Sequence, residues 1–391
     1  MGSLQKRGAN SWRLTVTAGK DAKGKYIRHG KTVRCFTKKE AELELAKFQI
    51  EIEAGTYIAP EKLVFQDFVE EWHKKYALQE LELKTLSIYL RIIKNRILPI
   101  IGHLRLDQIK PLHIVSLLSD LYKEGSRKDG KKGALASGSI EMVHRVLKNV
   151  FNRAVEWRVI KSSPVADVKA PRVVHKESEV YDEEEIQTLF QALENEAYHW
   201  RMMIILALTT GLRRGELVGL EWRNVNLEKG TIRVVQSITD FINGSPVIKE
   251  PKTKKSKRII SLSDAVCAEL KEYYEHCNQQ WDALEATRDN DHFFVFFNQY
   301  GKAFYPESPY LWFRGFLKKH KLRYIKFHDL RHTSATLLIN QGVHAKIISE
   351  RLGHSNITTT MNIYGHVLLR ADKEAANKFD QIIPFKNRSE A

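Results

Sequence analysis

Apolar and polar side chains alternate with a period of two near the start of the chain. Over residues 12–17, tryptophan, leucine and valine alternate with arginine and threonine, which is the pattern of a half-buried strand. We predict three strands from SWRLTVTAG, YIRHGK and TVRCFT, with a turn at KDAKGK. Thr37 and Glu40 have capping-box spacing, so a helix should follow and end at Gly55. Residues 1–58 are therefore predicted to form a small three-stranded sheet backed by one helix.

A helical period replaces this alternation over residues 62–162. Phe65, Phe68, Val69 and Trp72 recur at the i, i+3, i+4 and i+7 spacing of one helix face. This range is therefore predicted to be an all-α domain of four or five helices. Two further apolar stripes have helical spacing: Leu86, Tyr89, Leu90, Ile93 and Ile97, then Ile140, Val143, Leu147, Val150, Phe151 and Ala154.

The last part of the chain has mixed patterns. Residues 163–179 contain two prolines and charges of both signs, so we interpret them as a linker. Asp182 and Glu185 then have capping-box spacing at a helix start. Helices are predicted through TLFQALENEA and MMIILALTTG, strands at TIRVVQSI and KRIISL, and helices to the end. The whole sequence predicts a multidomain α+β protein whose third domain, 180–391, is mixed, mainly α, with a small antiparallel sheet.

The charge balance is strongly positive. Lys and Arg number 63 against 47 Asp and Glu, a net charge of +16, and the first 39 residues hold eleven basic side chains and one acidic one. Such an excess favours a polyanionic partner over a merely basic surface, and a two- or three-stranded ribbon fits the major groove of double-stranded DNA. The basic, Gly/Ser-rich segment 124–139 is predicted to be a mobile loop near phosphates. The residues predicted to contact DNA are Arg13, Lys25, Arg28, Arg34, Lys131 and Lys132.

Membrane and disulfide classes are disfavoured by the composition. No apolar run approaches the roughly 20 residues of a membrane-spanning helix, and the N-terminal residues lack an apolar signal core. A cytoplasmic protein without a membrane partner is expected. Cys35, Cys267 and Cys277 are widely spaced and odd in number, which predicts reduced thiols and neither disulfides nor a zinc cage.

Four segments of the last domain carry candidate chemistry. In chain order they are TTGLRRGELVGLEW, KEPKTKKSKRIISL, KFHDLRHTSATLLINQG and LGHSNITTTMNIYGH. Arg213 and Glu216 stand at a predicted helix start, where an arginine suits an anionic oxygen. His328 and His332 have zinc-binding spacing, but Asp329 stands where the H-E-x-x-H motif needs glutamate. Taken singly, each segment is more simply explained as a surface ion pair, a solvated hairpin tip or a packed helix face.

The order and spacing of these segments resemble the tyrosine recombinase (phage integrase) family. TGLRRGEL, HDLRHT and LGHSNITTTMNIYGH look like its three strongest motifs. The likeness to three-domain integrases of temperate phages and integrative conjugative elements extends over the whole chain. It implies an arm-type DNA-binding domain (1–58), a helical core-binding domain (62–162) and a catalytic domain (180–391). It also implies seven site residues: Arg213 as the first catalytic arginine, Glu216 as its supporting carboxylate, Lys252 as the hairpin lysine, His328 and Arg331 as the His-x-x-Arg pair, His354 as the third histidine, and Tyr364 as the nucleophile.

These residue types suit cleavage of a DNA phosphodiester without a metal ion or other cofactor. Two arginines can hold the non-bridging oxygens bidentately. A phenol with a pKa of about 10 needs cations or a histidine base in order to attack at neutral pH. The departing 5′ oxygen needs a general acid, which a hairpin lysine can supply. Lys252 is the expected lysine, and Lys254, Lys255 and Lys257 in the same turn are alternatives.

The resemblance implies a tetramer on double-stranded DNA with core and arm attachment sites, associated with the bacterial nucleoid. An excisionase and a host DNA-bending protein are further expected partners. The leading hypothesis is an integrase that integrates and excises a phage or mobile element, and the alternative within the enzyme class is a resolvase or transposon recombinase. A non-catalytic attachment-site binder and a zinc hydrolase built on His328, His332 and His354 are weaker alternatives. The presence of every family catalytic residue disfavours the binder, and the missing carboxylate base disfavours the hydrolase.

Overall fold

The computed structural model of this chain consists of two compact units, Met1–His175 and Lys176–Ala391. The division falls within the segment interpreted as a linker, 163–179. Each unit has its own hydrophobic core. The residues that the structure describes are 2–20, 24–54, 63–173, 179–251, 256–284, 292–354, 356–357 and 361.

The first unit begins with an antiparallel three-stranded sheet in the order β1-β2-β3. Its strands are β1 (Gly2–Gly8), β2 (Ser11–Lys20) and β3 (Tyr26–Arg34). The number of strands agrees with the prediction, but the strand positions differ in two ways. Strand β1 was not predicted, and the segments YIRHGK and TVRCFT, predicted as two strands, form the single strand β3. The strand continues through Gly30, which pairs with Thr15 of β2.

Helix α1 (Lys38–Glu53) backs this sheet. Thr37 and Glu40 form the predicted capping box, in which the Glu40 amide donates to Thr37 Oγ1 at 3.2 Å. Phe48 of α1 packs with Leu14 and Val16 of β2. The predicted alternation is confirmed, since the apolar positions of β2 are buried while its arginine and threonine positions are not.

Helices form the rest of the first unit. Two of them continue through a π-helical turn, so α2 runs on into α3 and α4 runs on into α5. The predicted apolar stripes are buried apart from Leu90, which is half-buried, and Phe65 stacks on Phe151 with ring centroids 5.1 Å apart. The helices are α2 (Phe65–Trp72), α3 (Leu78–Glu80), α4 (Leu83–Ile92), α5 (Leu98–Ile101), α6 (Pro111–Asp120) and α7 (Ser137–Glu156).

The segment 124–139 is an irregular loop up to the start of α7, as predicted, and its mobility stays a prediction. Arg127 makes two hydrogen bonds with Asp129, at 2.9 and 2.6 Å. Lys128 Nζ donates to the carbonyl oxygen of Asn95 at 2.6 Å. The basic residues that suggested a solvated loop therefore include two that serve local structure.

The second unit is mainly helical, with seven helices and five short strands among its described residues. Asp182 and Glu185 form the predicted capping box at the start of the first of these helices. The helices are α8 (Glu183–Leu193), α9 (Tyr198–Thr210), α10 (Arg214–Val218), α11 (Asp264–Ala283), α12 (Ser308–Lys319), α13 (Asp329–Asn340) and α14 (Ala345–Leu352). The strands are β4 (Val225–Asn226), β5 (Thr231–Val234), β6 (Ser237–Ile242), β7 (Ser245–Lys249) and β8 (Arg258–Ser261).

The segment TIRVVQSI forms two strands instead of the single predicted one. β5 pairs with β4 and β8, whereas β6 pairs with β7. The chain turns away between them so that β6 can pack on α10. A Cβ added at Gly215 would lie 2.7 Å from the Ile238 carbonyl oxygen, and one at Gly219 would lie 3.0 Å from the Ile238 amide nitrogen. The two glycines therefore permit an approach of backbone to backbone that strand periodicity does not reveal.

The architecture confirms the predicted fold class: an N-terminal sheet with one helix, a helical region, and a mixed, mainly α region with small antiparallel sheets. Across the part of the chain that the structure describes, no helix combines the length and apolar character needed to cross a membrane.

Candidate active site

The C-terminus of α9 holds two arginines from distant parts of the chain. The helix ends at Gly211, whose backbone is left-handed at φ 63°. Arg331 Nη1 donates to the Gly211 carbonyl oxygen at 2.6 Å, and Arg351 Nη2 donates to the Thr209 carbonyl oxygen at 2.8 Å. The last carbonyls of a helix lack partners within the helix and attract cations, so this end fixes the positions of both guanidinium groups.

Arg213 is the residue before α10 and reaches across to the end of α14. Its Nη1 donates to Glu216 Oε1 at 2.9 Å, and its Nη2 donates to the Gly353 carbonyl oxygen at 2.8 Å. Its backbone amide also donates to Glu216 Oε2 at 2.9 Å. Gly353 directly precedes His354, so Arg213 brings the first and fourth predicted segments together.

Glu216 is buried between two arginines and is not the surface partner that its spacing alone indicates. Its residual exposure is 6%. Arg258 donates to both of its oxygens, from Nη2 to Oε2 at 2.8 Å and from Nη1 to Oε1 at 3.1 Å. Burial raises the pKa of the carboxyl, but the hydrogen bonds and charges of Arg258 and Arg213 outweigh burial and leave its pKa below the usual value. Glu216 is therefore an ionised, fully engaged support.

Sequence reasoning did not identify Arg258. It follows a run of lysines, and a charged run of that kind is ordinarily a solvated surface. One feature of the sequence could have indicated a buried role for Arg258. It lies at the start of the predicted strand KRIISL, and a basic residue at the start of a strand with buried positions can itself point inward. Only the packing against Glu216 distinguishes it from the neighbouring lysines.

Arg331, with 3% exposure, is a buried cation of the site. Among the described residues, no hydrogen-bond partner meets its Nη2 atom. Burial, followed by repulsion from Arg213, lowers its pKa to about 9. A buried, unpaired N–H donor on a cation is costly, so the arrangement is suited to receive an anionic oxygen.

Two predicted histidines share this positive environment. Desolvation by the surrounding protein lowers the pKa of His328 to about 4, and His332 and Arg331 act in the same direction. Desolvation together with Arg331 and Arg213 lowers the pKa of His354 to about 4. Both imidazoles are therefore neutral at pH 7 in the protein alone, and each has one ring nitrogen able to accept a proton.

The structure thus brings together five of the seven predicted catalytic residues. His328 directly precedes α13, the helix that carries Arg331. Lys252 and Tyr364 lie outside the described residues. Across the described ranges, no group of three or more His, Cys, Asp or Glu side chains could hold a metal ion, so the three-histidine zinc hypothesis has no ligand set there. The five residues are Arg213, Glu216, His328, Arg331 and His354.

Three of the predicted DNA-contacting residues share one face of the N-terminal sheet. Arg13 pairs with Thr32, and Arg28 and Arg34 pair with Thr17 and Ser11. Paired residues point to the same side of a sheet, so the three arginines lie opposite the face that packs on α1. All three side chains are exposed, as are Lys25, Lys131 and Lys132.

Comparison with known proteins agrees with this geometry. Residues 179–370 match the profile described as "Phage integrase family", and residues 64–122 match "Phage integrase, N-terminal SAM-like domain". The chain belongs to the phage integrase family of tyrosine recombinases. Enzymes of this family cleave and rejoin DNA, and their catalytic domain is present in the second unit.

Two similar sequences are a bacterial tyrosine recombinase and a bacterial integrase. The chain is 29% identical over 402 residues to a "Tyrosine recombinase XerC-like" protein of Caldanaerobacter subterraneus subsp. tengcongensis, covering 96% of this chain and 97% of that protein. It is 28% identical over 260 residues to the "ICEBs1 integrase" of Bacillus subtilis, covering 66% of this chain and 69% of that protein.

Two solved integrase structures share the fold. The Tn1549 transposon integrase in complex with transposon right end DNA matches with a TM-score of 0.65 at 20% identity, covering 80% of this chain and 99% of that chain. The lambda integrase tetramer bound to a Holliday junction matches with a TM-score of 0.57 at 19% identity, covering 92% of this chain and 94% of that chain.

Proposed function

We propose that this tyrosine recombinase is an integrase that inserts and excises a mobile DNA element through a covalent 3′-phosphotyrosine at Tyr364. The observation that carries the proposal is Arg331. This arginine is buried near Arg213, and one of its donors has no partner among the described residues. Two guanidinium groups arranged in this way suit the two non-bridging oxygens of a phosphodiester.

In the first step, one phosphorus–oxygen bond forms as another breaks. The phenolic oxygen of Tyr364 attacks the scissile phosphorus, the phosphorus–O5′ bond breaks, and the phosphate becomes an ester of the tyrosine. Arg213 and Arg331 stabilise the charge that develops on the non-bridging oxygens. His328 accepts the phenolic proton, because its imidazole is neutral at pH 7 and the anionic phosphate offsets the cations that lower its pKa. Lys252 donates a proton to the departing 5′ oxygen.

The second step reverses the first with a different strand. A 5′-hydroxyl from another duplex attacks the phosphotyrosine and gives its proton to Lys252, while the bond from phosphorus to the tyrosine oxygen breaks and His328 returns a proton to that oxygen. A phosphodiester is restored and the tyrosine is released. One bond is exchanged for another of similar energy, so rejoining needs no ATP. His354 donates a hydrogen bond to the phosphate in both steps.

Integration and excision are favoured over the other uses of this chemistry by the domain content and the relatives. The full-length match includes an N-terminal sheet whose exposed face carries three arginines, which suits a second class of DNA site. The ICEBs1 integrase of Bacillus subtilis is among the similar proteins. We further propose double-stranded DNA with core and arm sites as substrate, a tetramer as the active assembly, and an excisionase and a host DNA-bending protein as partners in the cytoplasm. A resolvase or transposon recombinase is the alternative use of the same active site.

A covalent-adduct assay tests the proposal. The wild-type protein is incubated in EDTA with a nicked duplex that carries the end of the DNA element encoding it, and adducts are resolved in SDS. We expect an adduct with wild type and none with Tyr364→Phe, while both bind the duplex with the same affinity. An adduct with Tyr364→Phe would refute the nucleophile, and a strict requirement for a divalent metal would refute the mechanism.

A further inference from the structure

Arg258 joins three segments of the second unit from a position where its side chain is only 6% exposed. It opens β8, and its guanidinium holds both carboxylate oxygens of Glu216. Its Nε donates to the Arg351 carbonyl oxygen at 2.7 Å, and its Nη1 also donates to the Ser256 carbonyl oxygen at 3.3 Å. One side chain therefore connects the start of β8, the helix α10 and the C-terminal end of α14.

These contacts close a ring with Arg213. Arg213 donates to Glu216 and to the carbonyl oxygen of Gly353, and Gly353 follows the end of α14 that Arg258 contacts. A Cβ added at Gly353 would lie 2.9 Å from Arg258 Nη1 and 3.1 Å from its Cδ. The guanidinium of Arg258 thus packs directly on the bare backbone that precedes His354.

A second arginine on Glu216 is not needed for charge balance, because Arg213 already neutralises that carboxylate. Burying another cation costs solvation energy, and an apolar side chain of similar volume is often at least as stabilising. The distinctive property of Arg258 is its geometry. A planar guanidinium has several donors at fixed angles, whereas a lysine ammonium is a compact charge that cannot span two carboxylate oxygens and a separate carbonyl in the same way.

We propose that Arg258 is a positioning residue for strand cleavage, which holds Glu216 and the Gly353–His354 turn so that Arg213 meets the scissile phosphate in a fixed orientation. The inference rests on the function proposed for the same site. Arg258 itself need not touch DNA, because its donors are already directed at protein oxygens.

The first experiment separates orientation from folding and binding. Full-length wild type, Arg258→Lys, Arg258→Met and Arg201→Lys are compared for thermal midpoint, for affinity to the nicked element-end duplex, and for the rate of adduct formation. Arg201 is the matched control, because it forms an ion pair with Glu269 at 2.8 Å in the same unit with both side chains about one-third exposed. We expect Arg258→Lys to bind DNA like wild type and to cleave on the order of 10- to 100-fold more slowly, the cost of a small misplacement of a catalytic group.

The outcomes are distinguishable from failure of the proposed function. A wild-type cleavage rate in folded Arg258→Lys would overturn the inference. Loss of DNA affinity in proportion to the loss of rate would also overturn it. If the wild-type protein itself forms no adduct, the proposed function fails independently of any result for the Arg258 variants.

A pH profile supplies a readout that a general loss of stability does not give. The charged groups that face Glu216 are Arg213 before α10, Arg258 on β8 and Arg331 on α13. Without Arg258, burial should raise the pKa of Glu216, so the cleavage rate of Arg258→Met should fall more steeply than that of wild type as pH is lowered. Adding Glu216→Gln should remove that extra dependence. Parallel profiles for wild type and Arg258→Met would contradict the positioning role.

Discussion

Arg213 Nη2 donates to the carbonyl oxygen of Gly353 at 2.8 Å across a sequence separation of 140 residues. This bond joins the start of α10 to the end of α14 and places His354 beside the arginine. Gly353 has φ 67° and ψ 47°, a left-handed conformation that a side chain disfavours. The contact therefore depends on a glycine at a closely packed position.

Gly353→Ala is expected to cost more stability than Gly342→Ala. Both glycines have positive φ, 67° and 77°, but a Cβ at position 342 would meet nothing within 4 Å, whereas one at 353 would press on Arg258. The control should lose the roughly 1–2 kcal/mol of a left-handed alanine, and Gly353→Ala should lose more and cleave DNA more slowly. Thermal denaturation measures the loss of stability and the adduct assay measures the cleavage rate. Equal losses of stability in the two variants would show that the Arg258 side chain can shift away from the added Cβ without an energetic penalty.

Arg331→Lys should abolish most cleavage while leaving the fold intact. A lysine ammonium can keep the Gly211 carbonyl contact or approach a phosphate oxygen, but it does not reproduce the two directed donors of the guanidinium. Loss of one such donor lowers the rate on the order of 10²- to 10³-fold. Single-turnover adduct formation checks this, with Arg201→Lys as control. A fall of less than about threefold, far below the effect of one such donor, would remove Arg331 from the phosphate-binding role.

His354 should make the protein less stable in acid. Its pKa is about 4 in the folded protein against an ordinary value of 6.5, so the unfolded chain binds the proton more readily. The contribution of the neutral His354 to the free energy of unfolding is therefore fully present above about pH 6.5 and is lost as pH falls towards 4. The thermal midpoint of His354→Gln should fall less than that of wild type over this interval. His276→Gln, a histidine of α11, is the control, and identical profiles for all three proteins would contradict the prediction.

Lys252→Ala should block cleavage of ordinary DNA but spare a substrate with a 5′-thiolate leaving group. A thiolate departs without a proton, so it does not need the general acid. Lys254→Ala and Lys255→Ala serve as matched variants within the same lysine run. If either of them shows this selective rescue and Lys252→Ala does not, the general acid is misassigned.

The arginine face of the N-terminal sheet should contribute to DNA affinity without changing cleavage at the core site. The full-length triple variant Arg13→Gln, Arg28→Gln and Arg34→Gln removes three exposed cations from one face. In a plot of the logarithm of the association constant against the logarithm of salt concentration, the slope should decrease in magnitude by about 0.9 for each phosphate that these arginines neutralise in the wild-type complex. Fluorescence anisotropy over a salt series measures the slope, and Lys47→Gln on α1 is the control. An unchanged slope would place the DNA elsewhere.

Local patterns predicted most of the secondary structure, because they depend on neighbours in sequence. The capping boxes at Thr37 and Asp182 were confirmed, since a cap involves only four residues. Strand assignments failed where a distant contact overrode the local signal. Gly215 allows the backbone of β6 to approach α10, so TIRVVQSI forms two strands instead of one.

The sequence by itself was enough to indicate the family, because the order and spacing of TGLRRGEL, HDLRHT and LGHSNITTTMNIYGH resemble its motifs. Phosphodiester cleavage by a tyrosine then accounts for arginines, histidines and a lysine as residue types. Tertiary structure decided which charges are buried and which are solvated. In the sequence, Arg258 and the nearby lysines belong to one run of basic residues, yet in the structure the Arg258 side chain is buried against Glu216. Likewise, the end of α9 engages Nη1 of Arg331, whereas its buried Nη2 meets no acceptor among the described residues. Burial and hydrogen-bond partners arise from segments far apart in the chain, and a local pattern contains no information about them.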